Sequence, residues 1–511
     1  MAAATVVPLR VVRKLVSFVP DTDFSRLVAE AFSLAECEPR ILEMIDRDRD
    51  AHAIQKKKER LEDHSWLMGH GARLAGFDVT EDKGWADNLD LSAGRPRMPA
   101  ILVFIFILIR GYLGGFKDRK TASMLSESKT LEIVLANLGQ VLPGASTILD
   151  NINSVKVETL EFILDTQIGQ ARREALDDFR QITVDSTGVE ANSTWPTDSG
   201  TIAGLAARAK HLLRELVEFG VLVKLPAIVE KLVADIEILH KQIQLSSGKK
   251  DSAQKRKKFY RKLFKLARQV RQKLLVALQQ ANKKAVKLTL MPSLKARLLT
   301  RLEWIDVDLI NLALAIDNGV SRVLRDQKVP TAQKVVSLSD ESAAIIAKGG
   351  REPLLGYKPQ IARSENGFVT AVVVPEGNAA DSGQLRSIVD ASLKRTGILP
   401  SVLSFDDGYT NGDDRTYYLG RGVAIVSFSG SKGKRLIPVS EYDSPEYKQA
   451  RNNRSAVESL MFTLKHNYEF DRMMRRGIDN VRSEMLEKSV VHNFFRLIKL
   501  RQEFEAKKAA A

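Results

Sequence analysis

The sequence predicts an α/β fold that is interrupted by a large all-α insertion and preceded by an all-α region. Two observations carry this prediction. Short β-branched and apolar runs, typical of strands, occur on both sides of residues 199–330. Within 199–330, apolar residues instead recur at spacings of three and four, which is typical of amphipathic helices.

The first 98 residues are predicted to form a helical N-terminal region. A helix begins after Asp21 or Thr22, either of which is a suitable N-cap, and is interrupted at Pro39. Residues 67–99 are rich in Gly, Asp and Pro, so they are predicted to form a loop.

Residues 99–175 are predicted to form a compact helical unit. Its run AILVFIFILI, at 100–109, is too short to span a bilayer and therefore indicates a fully buried helix. The turn LPGAST predicts a later helix capped by Ser146 or Thr147. Short helices joined by tight turns suit a helix-turn-helix-like DNA reader, and an ordinary helical bundle is the alternative.

The strands are predicted from β-branched runs bounded by turn residues. The first strand covers 181–185 and ends in Asp185. Further along, Asn366–Gly367 is a hairpin turn signal. The other predicted strands are residues 334–338, 356–362, 368–374, 401–405 and 423–428. Helices are predicted at 381–395 and 449–465, and the tail from 471 is predicted to be helical.

Charged residues concentrate on one face of the predicted helix 449–465. On a helical wheel, Arg451, Arg454, Glu458 and Lys465 fall within roughly a 60° arc beside an apolar stripe. A charged helix face is often only solvated surface, so this pattern does not indicate a function by itself.

Two aspartates follow apolar strands elsewhere in the chain. Asp185 closes the strand QITVD, and Asp406 closes the strand in SFDDGY. A buried strand that ends in an acid is unfavourable unless the acid is paired or binds a metal. Together with Glu458, these acids match the three carboxylates that a two-metal phosphoryl-transfer site requires. Asp407 and Asp381 are alternative acids, but Asp407 is expected to support the turn and Asp381 to cap a helix.

Composition limits the class of protein. The 511 residues suffice for two to four domains, and 78 Lys and Arg against 63 Asp and Glu give a net charge of +15, which suits a polyanionic partner. Cys37 is the only cysteine, so a disulfide framework and a thiolate metal cluster are excluded, and a reducing compartment is expected. No signal peptide is recognised at the N-terminus.

The most basic stretch covers residues 247–273, where Asp251 is the only acid. Its cations, among them Lys257, Lys258 and Arg261, lie opposite an apolar helical face. Contact with phosphate is the favoured interpretation, because so one-sided a positive charge is expected to face a negatively charged surface. Solvated helix surface and binding to a membrane surface are the alternatives.

These motifs together resemble those of a DDE transposase of a bacterial insertion sequence, of the kind grouped as ISNCY-like. VDSTGVEANSTWPTDSG at 184–200 is similar to the first-aspartate motif, and SFDDGYTN at 404–411 is similar to the second. The third motif of the family is a helix that carries an arginine, a glutamate and a lysine. This chain has a similar pattern in Arg454, Glu458 and Lys465, with three and six residues between them. Upstream, GGFKDRKTASML and NLGQVLPGASTILDNIN resemble the DNA-binding region of such transposases.

The resemblance implies a ribonuclease-H-like catalytic domain that binds Mg²⁺, or Mn²⁺ in its place, through Asp185, Asp406 and Glu458. It also implies contacts of Arg454 and Lys465 with DNA phosphate. One departure from the family is that Arg451 stands where the related motif has tyrosine, which bears on the detailed handling of DNA and not on the acid triad. Arg451 is also a candidate contact for DNA phosphate.

The implied organisation and partners follow from the same resemblance. The domains expected are a helical region at 1–98, a DNA-binding domain at 99–175, a catalytic domain at 176–470 with the insertion 199–330, and a helical tail at 471–511. The implied partners are double-stranded DNA and a second copy of the chain, in a bacterial cytoplasm at the nucleoid and not in a membrane. Trp195 could contact an unpaired base, although core packing is favoured.

Two other functions are compatible with the sequence. One is a catalytically inactive DNA-binding protein on a transposase scaffold, and the other is a metal-dependent nuclease that does not join strands. The intact acid triad argues against the first, and joined products would exclude the second.

Overall fold

The computed structural model describes residues 22–74, 97–115, 125, 127–224, 227–246, 252–347 and 352–510. The chain divides into two compact units. Unit 1 consists of residues 1–52, 93–192 and 342–511, and unit 2 consists of residues 53–92 and 193–341. Residues 1–21, most of the predicted loop and most of GGFKDRKTASML lie outside the described residues.

The first two helices are α1, Asp23–Cys37, and α2, Arg40–Leu74. Thr22 caps α1 through a reciprocal capping box, and the chain leaves helical geometry before α2, so the predicted cap and interruption are confirmed. The loop prediction is wrong for residues 67–74, which continue α2. Trp66 and His70, one helical turn apart, stack with ring centroids 4.7 Å from each other and support this last part of the helix.

Within the described residues, four more helices lie between α2 and the main sheet. They are α3, Ala100–Tyr112; α4, Lys129–Asn137; α5, Ala145–Asn153; and α6, Val157–Arg173. Residues 100–111 of α3 are buried throughout, as predicted. The predicted cap of α5 is wrong, because the N-cap position is held by Gly144, which has no side chain to accept a hydrogen bond.

The main sheet of unit 1 has five strands, which are β1, Gln181–Ser186; β5, Gln360–Ser364; β6, Val369–Val373; β7, Val402–Phe405; and β8, Ile425–Phe428. Their order in the sheet is β6-β5-β1-β7-β8. β1 lies antiparallel to β5 and parallel to β7, so the sheet is mixed. The predicted Asn366–Gly367 turn joins β5 to β6, with Gly367 at a φ of 93°.

A second sheet has three strands, which are β2, Val189–Glu190; β3, Ala344–Ile346; and β4, Leu354–Tyr357. Their order in the sheet is β2-β4-β3. The predicted strand 356–362 is therefore wrong as a single element, because the chain passes from one sheet to the other at Lys358–Pro359. The predicted strand 334–338 is also wrong, and these residues form irregular structure after a short 3₁₀ turn.

Seven helices follow or flank the last strands. They are α11, Leu385–Thr396; α12, Gly412–Gly420; α13, Ser431–Leu436; α14, Val439–Tyr442; α15, Pro445–Asn453; α16, Ser455–Tyr468; and α17, Ile478–Ala510. The prediction of one continuous helix at 449–465 is wrong, because the chain turns at Arg454 between α15 and α16. Arg454 itself keeps helical dihedral angles, which explains why the periodicity continues across the break.

A buried ionic cluster joins α3 to α17. Arg110 donates to both carboxylate oxygens of Glu487 at 2.9 and 2.6 Å, and Arg475 donates to the same carboxylate. Burial alone would raise the pKa of Glu487, but the two guanidinium groups hold that pKa below its ordinary value. Removing one partner from such a buried group typically costs about 3–5 kcal/mol, so the cluster fixes how α17 packs in unit 1.

Unit 2 contains a bundle of helices with its own apolar core. Its helices are α7, Asp198–Glu218; α8, Ala227–Leu245; α9, Ser252–Ala285; and α10, Pro292–Gly319. A π-helical turn, Val320–Leu324, follows α10. Across the described residues, the helices all lack the length and apolar character needed to cross a membrane.

The stability of unit 1 is expected to depend on pH through His492 on α17. Its Nε2 donates to the Gly367 carbonyl at 2.9 Å, and burial, aided by Arg496 and Arg363, lowers the pKa of His492 to about 4. The unfolded chain binds this proton near pH 6.5, so stability should be full above about pH 6.5 and fall as the pH drops towards 4. At 1.36 kcal/mol per pKa unit the loss is about 3 kcal/mol.

This loss can be measured by urea unfolding between pH 7 and pH 4. His492→Gln keeps a donor for Gly367 but cannot be protonated, so its stability should fall less over this range. The exposed His466 offers the matched control, and His466→Gln should keep the wild-type slope. Equal slopes for wild type and His492→Gln would contradict the assignment.

Candidate active site

The two predicted strand-end aspartates come from adjacent parallel strands. β1 and β7 pair one to one, with Thr183 opposite Ser404. Continuing the same register by two residues brings Asp185 level with Asp406. Because side chains alternate between faces along a strand, this register also points the two carboxylates to the same face of the sheet.

The turn after β7 separates the roles of its two aspartates. Asp406 accepts a hydrogen bond from the Gly408 N–H at 2.8 Å and so caps the short 3₁₀ turn Asp407–Tyr409. Asp407 instead accepts from the backbone N–H groups of Lys432 and Gly433 at 2.8 and 3.1 Å, at the start of α13. Asp407 therefore turns away from Asp406 and supports the turn.

Tyr409 lies where several carboxylates meet. Its side chain is fully buried, and its hydroxyl donates to Gln360 on β5. Burial raises the pKa of Tyr409 well above its ordinary value, and the negative charges of Asp381, Asp185 and Asp406 raise it further. The buried hydroxyl thus lies within reach of the negative charges of three aspartates, of which Asp381 is paired with Lys358 and Asp185 with Arg454.

Arg454 connects the third predicted acid to the first. Its Nη2 lies 3.4 Å from Asp185 Oδ2 and 2.7 Å from Glu458 Oε1. Glu458 is mostly exposed, with 56% of its side chain accessible, whereas Asp185 is 6% accessible. The structure therefore brings Glu458 and Asp185 to the same guanidinium group, at the break between α15 and α16.

The other two cations of this helix pair have separate partners. Lys465 Nζ donates to the Gly188 carbonyl at 3.1 Å, which ties α16 to the loop after β1. Arg451 packs its guanidinium over the ring of Tyr442, 4.6 Å from the ring centroid. Lys465 therefore lies beside the strand end of Asp185, while Arg451 packs against an aromatic ring.

The remaining predicted contact residues belong to unit 2. Lys257 forms an ion pair with Asp326 at 2.6 Å, while Lys258 and Arg261 are exposed on α9. Trp195 is 51% exposed in the loop before α7, so the expectation of core packing is wrong. The catalytic and metal-binding roles of Asp185, Asp406 and Glu458 remain predictions, as do the DNA-binding roles of the cations and of Trp195.

Mg²⁺ would have to be held by carboxylate oxygens. Asp185 and Asp406 fit this requirement, because both supply hard oxygen donors at the carboxyl ends of neighbouring parallel strands. Glu458 is engaged by Arg454, and within the described ranges no three His, Cys, Asp or Glu residues are grouped so as to hold a metal ion. The donor chemistry fits a divalent cation at the two aspartates, and Glu458 would have to turn to complete the set.

A polar network that the sequence patterns did not predict lies beside these acids. Asp381 forms an ion pair with Lys358 at 2.9 Å and accepts from Gln360 Nε2 at 3.2 Å. The prediction that Asp381 caps a helix is wrong, because it begins a 3₁₀ turn and makes no capping hydrogen bond to α11. The sequence contains one signal for this network. Lys358 and Gln360 are polar residues within a run that is otherwise predicted to form a strand.

Part of the chain matches a known family model. Residues 318–494 match the family model described as Transposase DDE domain. The matched stretch includes Asp406, Arg454, Glu458 and Lys465, whereas Asp185 lies before it. The match covers about a third of the chain and supports a DDE transposase family.

No curated protein and no solved structure matches this chain.

Tyr409→Phe tests whether the buried hydroxyl stabilises the site. Removing it leaves the Gln360 oxygen without its donor in a buried position, which typically costs about 1–3 kcal/mol. The free energy of unfolding, measured in urea, should fall by this amount. Tyr417→Phe is the matched control, since Tyr417 is 39% exposed, and it should change stability by less than about 0.5 kcal/mol. Equal effects of both substitutions would contradict the role of the Tyr409 hydroxyl.

Proposed function

We propose that the protein is a transposase that cleaves DNA at the ends of its insertion sequence and joins those ends to target DNA. The observation that carries the proposal is the β1–β7 register, which places Asp185 beside Asp406 within a chain whose C-terminal part matches a transposase DDE domain. Three antiparallel strands followed by two parallel ones, in the order β6-β5-β1-β7-β8, support a ribonuclease-H-like catalytic domain. The ISNCY-like assignment rests on the sequence motifs.

The proposed reaction is metal-dependent phosphoryl transfer at a DNA phosphate. When bound, Mg²⁺ or Mn²⁺ would activate the attacking hydroxyl and stabilise the leaving oxygen. Asp185 and Asp406 would hold the cation from the sheet, and Glu458 would complete the ligand set from α16. Hard carboxylate oxygens are the ligands that Mg²⁺ prefers.

The neighbouring cations suit the substrate. Arg454 reaches both Asp185 and Glu458, so a DNA phosphate that approaches these acids also approaches its guanidinium group. Arg454 can bind such a phosphate through two parallel hydrogen bonds, whereas Lys465 acts as a point charge. The exposed pairing of Arg454 with Glu458 is worth no more than about 1 kcal/mol, so it is readily exchanged for a phosphate.

The catalytic proposal predicts that Asp185→Asn abolishes cleavage but preserves DNA binding. The amide keeps the size of the carboxylate and loses the charge that binds the cation, so a loss of at least about 10³-fold in the cleavage rate is expected. The substrate is a labelled duplex spanning the end of the element that encodes the chain, incubated with Mg²⁺ or Mn²⁺. Gel shift without metal measures binding.

Asp407→Asn is the matched control, because Asp407 faces α13 and an amide oxygen can still accept from its backbone donors. This control should cleave within a few-fold of wild type. Binding without cleavage by wild type would support the inactive DNA-binding protein instead. Cleavage without joined products, when target DNA is supplied, would support the nuclease.

Helix α9 is proposed as a second DNA contact. Residues 252–285 contain no acid, and the cations on its exposed face recur at spacings of three and four. Lys258 and Arg261 belong to that face, whereas Lys257 is paired with Asp326 and is the weaker member of the predicted set. The short helices within 99–175 are a further candidate for reading the element ends.

Neutralising two cations on α9 should weaken binding in a salt-dependent way. Each lost phosphate contact lowers the slope of log K against log salt by about 0.9, so Lys258→Gln with Arg261→Gln should lower it by about 1.8. The measurement is fluorescence anisotropy with a duplex over a range of NaCl concentrations. Lys231→Gln with Lys241→Gln, two exposed cations on α8, is the matched control and should keep the slope. An unchanged slope in the α9 variant would contradict the contact.

A homodimer in the DNA complex belongs to the same proposal. Two element ends have to be held together before they are joined to one target, and two copies of one chain meet this need. Light scattering of the protein with and without a pair of end duplexes measures the stoichiometry, and a complex with a single chain per two ends would contradict it.

A further inference from the structure

We propose that Asp381, acting through Gln360, is a positioning residue that holds the Asp406 turn in its working geometry. Asp381 lies between β6 and α11, far from Asp406 along the chain. The inference rests on the proposed function, because it assigns a role within that reaction. It extends the function to a residue outside the three predicted acids.

The first step is the way Asp381 is anchored. Its Oδ1 accepts from Lys358 Nζ at 2.9 Å and from Gln360 Nε2 at 3.2 Å. Lys358 also donates to the Ala379 carbonyl at 3.1 Å. The Lys358 and Asp381 side chains are only 7% and 10% accessible, so the pair is shielded from solvent and is costly to break.

The second step is the orientation of the Gln360 amide. Its NH₂ group faces Asp381, so its oxygen is left to accept from the Tyr409 hydroxyl. Gln360 is fully buried on β5, opposite Ser186 at the end of β1. The network therefore extends from the first residue of β5 to the turn after β7.

The third step links Tyr409 to Asp406. Tyr409 is the last residue of the 3₁₀ turn that Asp406 caps, so fixing the tyrosine ring restrains the whole turn. A Cβ added to Gly408 would lie 3.0 Å from Asp406 Oδ1 and 3.2 Å from Asp381 Oδ2. The two carboxylates therefore flank the same glycine, and little space remains for the turn to shift.

The contacts favour positioning over direct metal ligation by Asp381. One carboxylate oxygen is committed to an ammonium group and an amide, and the ion pair already compensates its charge. Asparagine at position 381 can still accept from both donors, whereas alanine cannot. The two substitutions therefore distinguish a positioning role, which needs the acceptor, from a ligand role, which needs the charge.

The experiment compares Asp381→Asn and Asp381→Ala with Asp406→Asn. Two quantities are measured: single-turnover cleavage of the end duplex, and Mn²⁺ binding to the DNA-free protein by electron paramagnetic resonance. Asp381→Ala should slow cleavage about 100-fold, the effect of a small displacement of a reacting group. It should also weaken Mn²⁺ binding. Asp381→Asn should stay within about tenfold of wild type in both measurements, and Asp406→Asn should lose both.

Asp413→Ala, which removes an exposed carboxylate in the first turn of α12, is the matched control and should leave both measurements unchanged. Circular dichroism and urea unfolding report whether each variant folds. If Asp381→Ala does not fold, Gln360→Met breaks the same network without leaving Lys358 unpaired, and it should slow cleavage to a similar extent.

Three results would overturn the inference. Wild-type cleavage and Mn²⁺ binding in the folded Asp381→Ala variant, or in Gln360→Met where alanine does not fold, would remove the positioning role. An Asp381→Asn variant as inactive as Asp406→Asn would make Asp381 a metal ligand instead. A wild-type protein that neither cleaves nor binds Mn²⁺ would remove the proposed function and this inference together, whereas the first two results leave the proposed function intact.

Discussion

The parallel pairing of β1 with β7 is the constraint on which the candidate site depends. The two strands are far apart in the chain, yet their one-to-one register brings Asp185 level with Asp406. A slip of one residue would move one carboxylate to the opposite face of the sheet. Such a slip would be costly, because it would exchange the positions of the apolar Ile182 and Val184 with those of the polar Thr183 and Asp185, and all four residues are buried.

The carboxylates at this edge are held by cations of two different kinds. The Lys358–Asp381 pair is shielded from solvent, so breaking it costs about 3–5 kcal/mol. The Arg454–Glu458 pair is half-exposed, and such pairs contribute about 1 kcal/mol or less. The first pair therefore acts as a fixed support, and the second is free to rearrange. This difference suits a site in which Glu458 and Arg454 turn towards a substrate while the sheet stays in place.

The sequence predicted the elements with strong local signals and missed those decided by tertiary structure. The strand ending in Asp185, the Asn366–Gly367 turn and the buried α3 all follow from short-range patterns. The passage between sheets at Lys358 could not be read from local apolarity, because both halves of that run are buried strands. Arg454 keeps helical dihedral angles, so the helical periodicity of the sequence continues across the break and does not reveal it. The pairing of Asp381 joins residues on separate elements, and such a contact leaves no periodic pattern in the sequence.

The small sheet explains how the main sheet tolerates an insertion. Two residues separate β2 from residue 193, where unit 2 begins again, and two residues separate residue 341, where that segment ends, from β3. Both strands pair with β4, so the two ends of the insertion are fastened to the same strand of unit 1. A Cβ on Gly356 would lie 1.8 Å from the Val189 carbonyl oxygen, so this close packing requires glycine. β4 continues through Lys358 into β5, so the residue that supports Asp381 lies at the joint between the small sheet and the strands that carry the site.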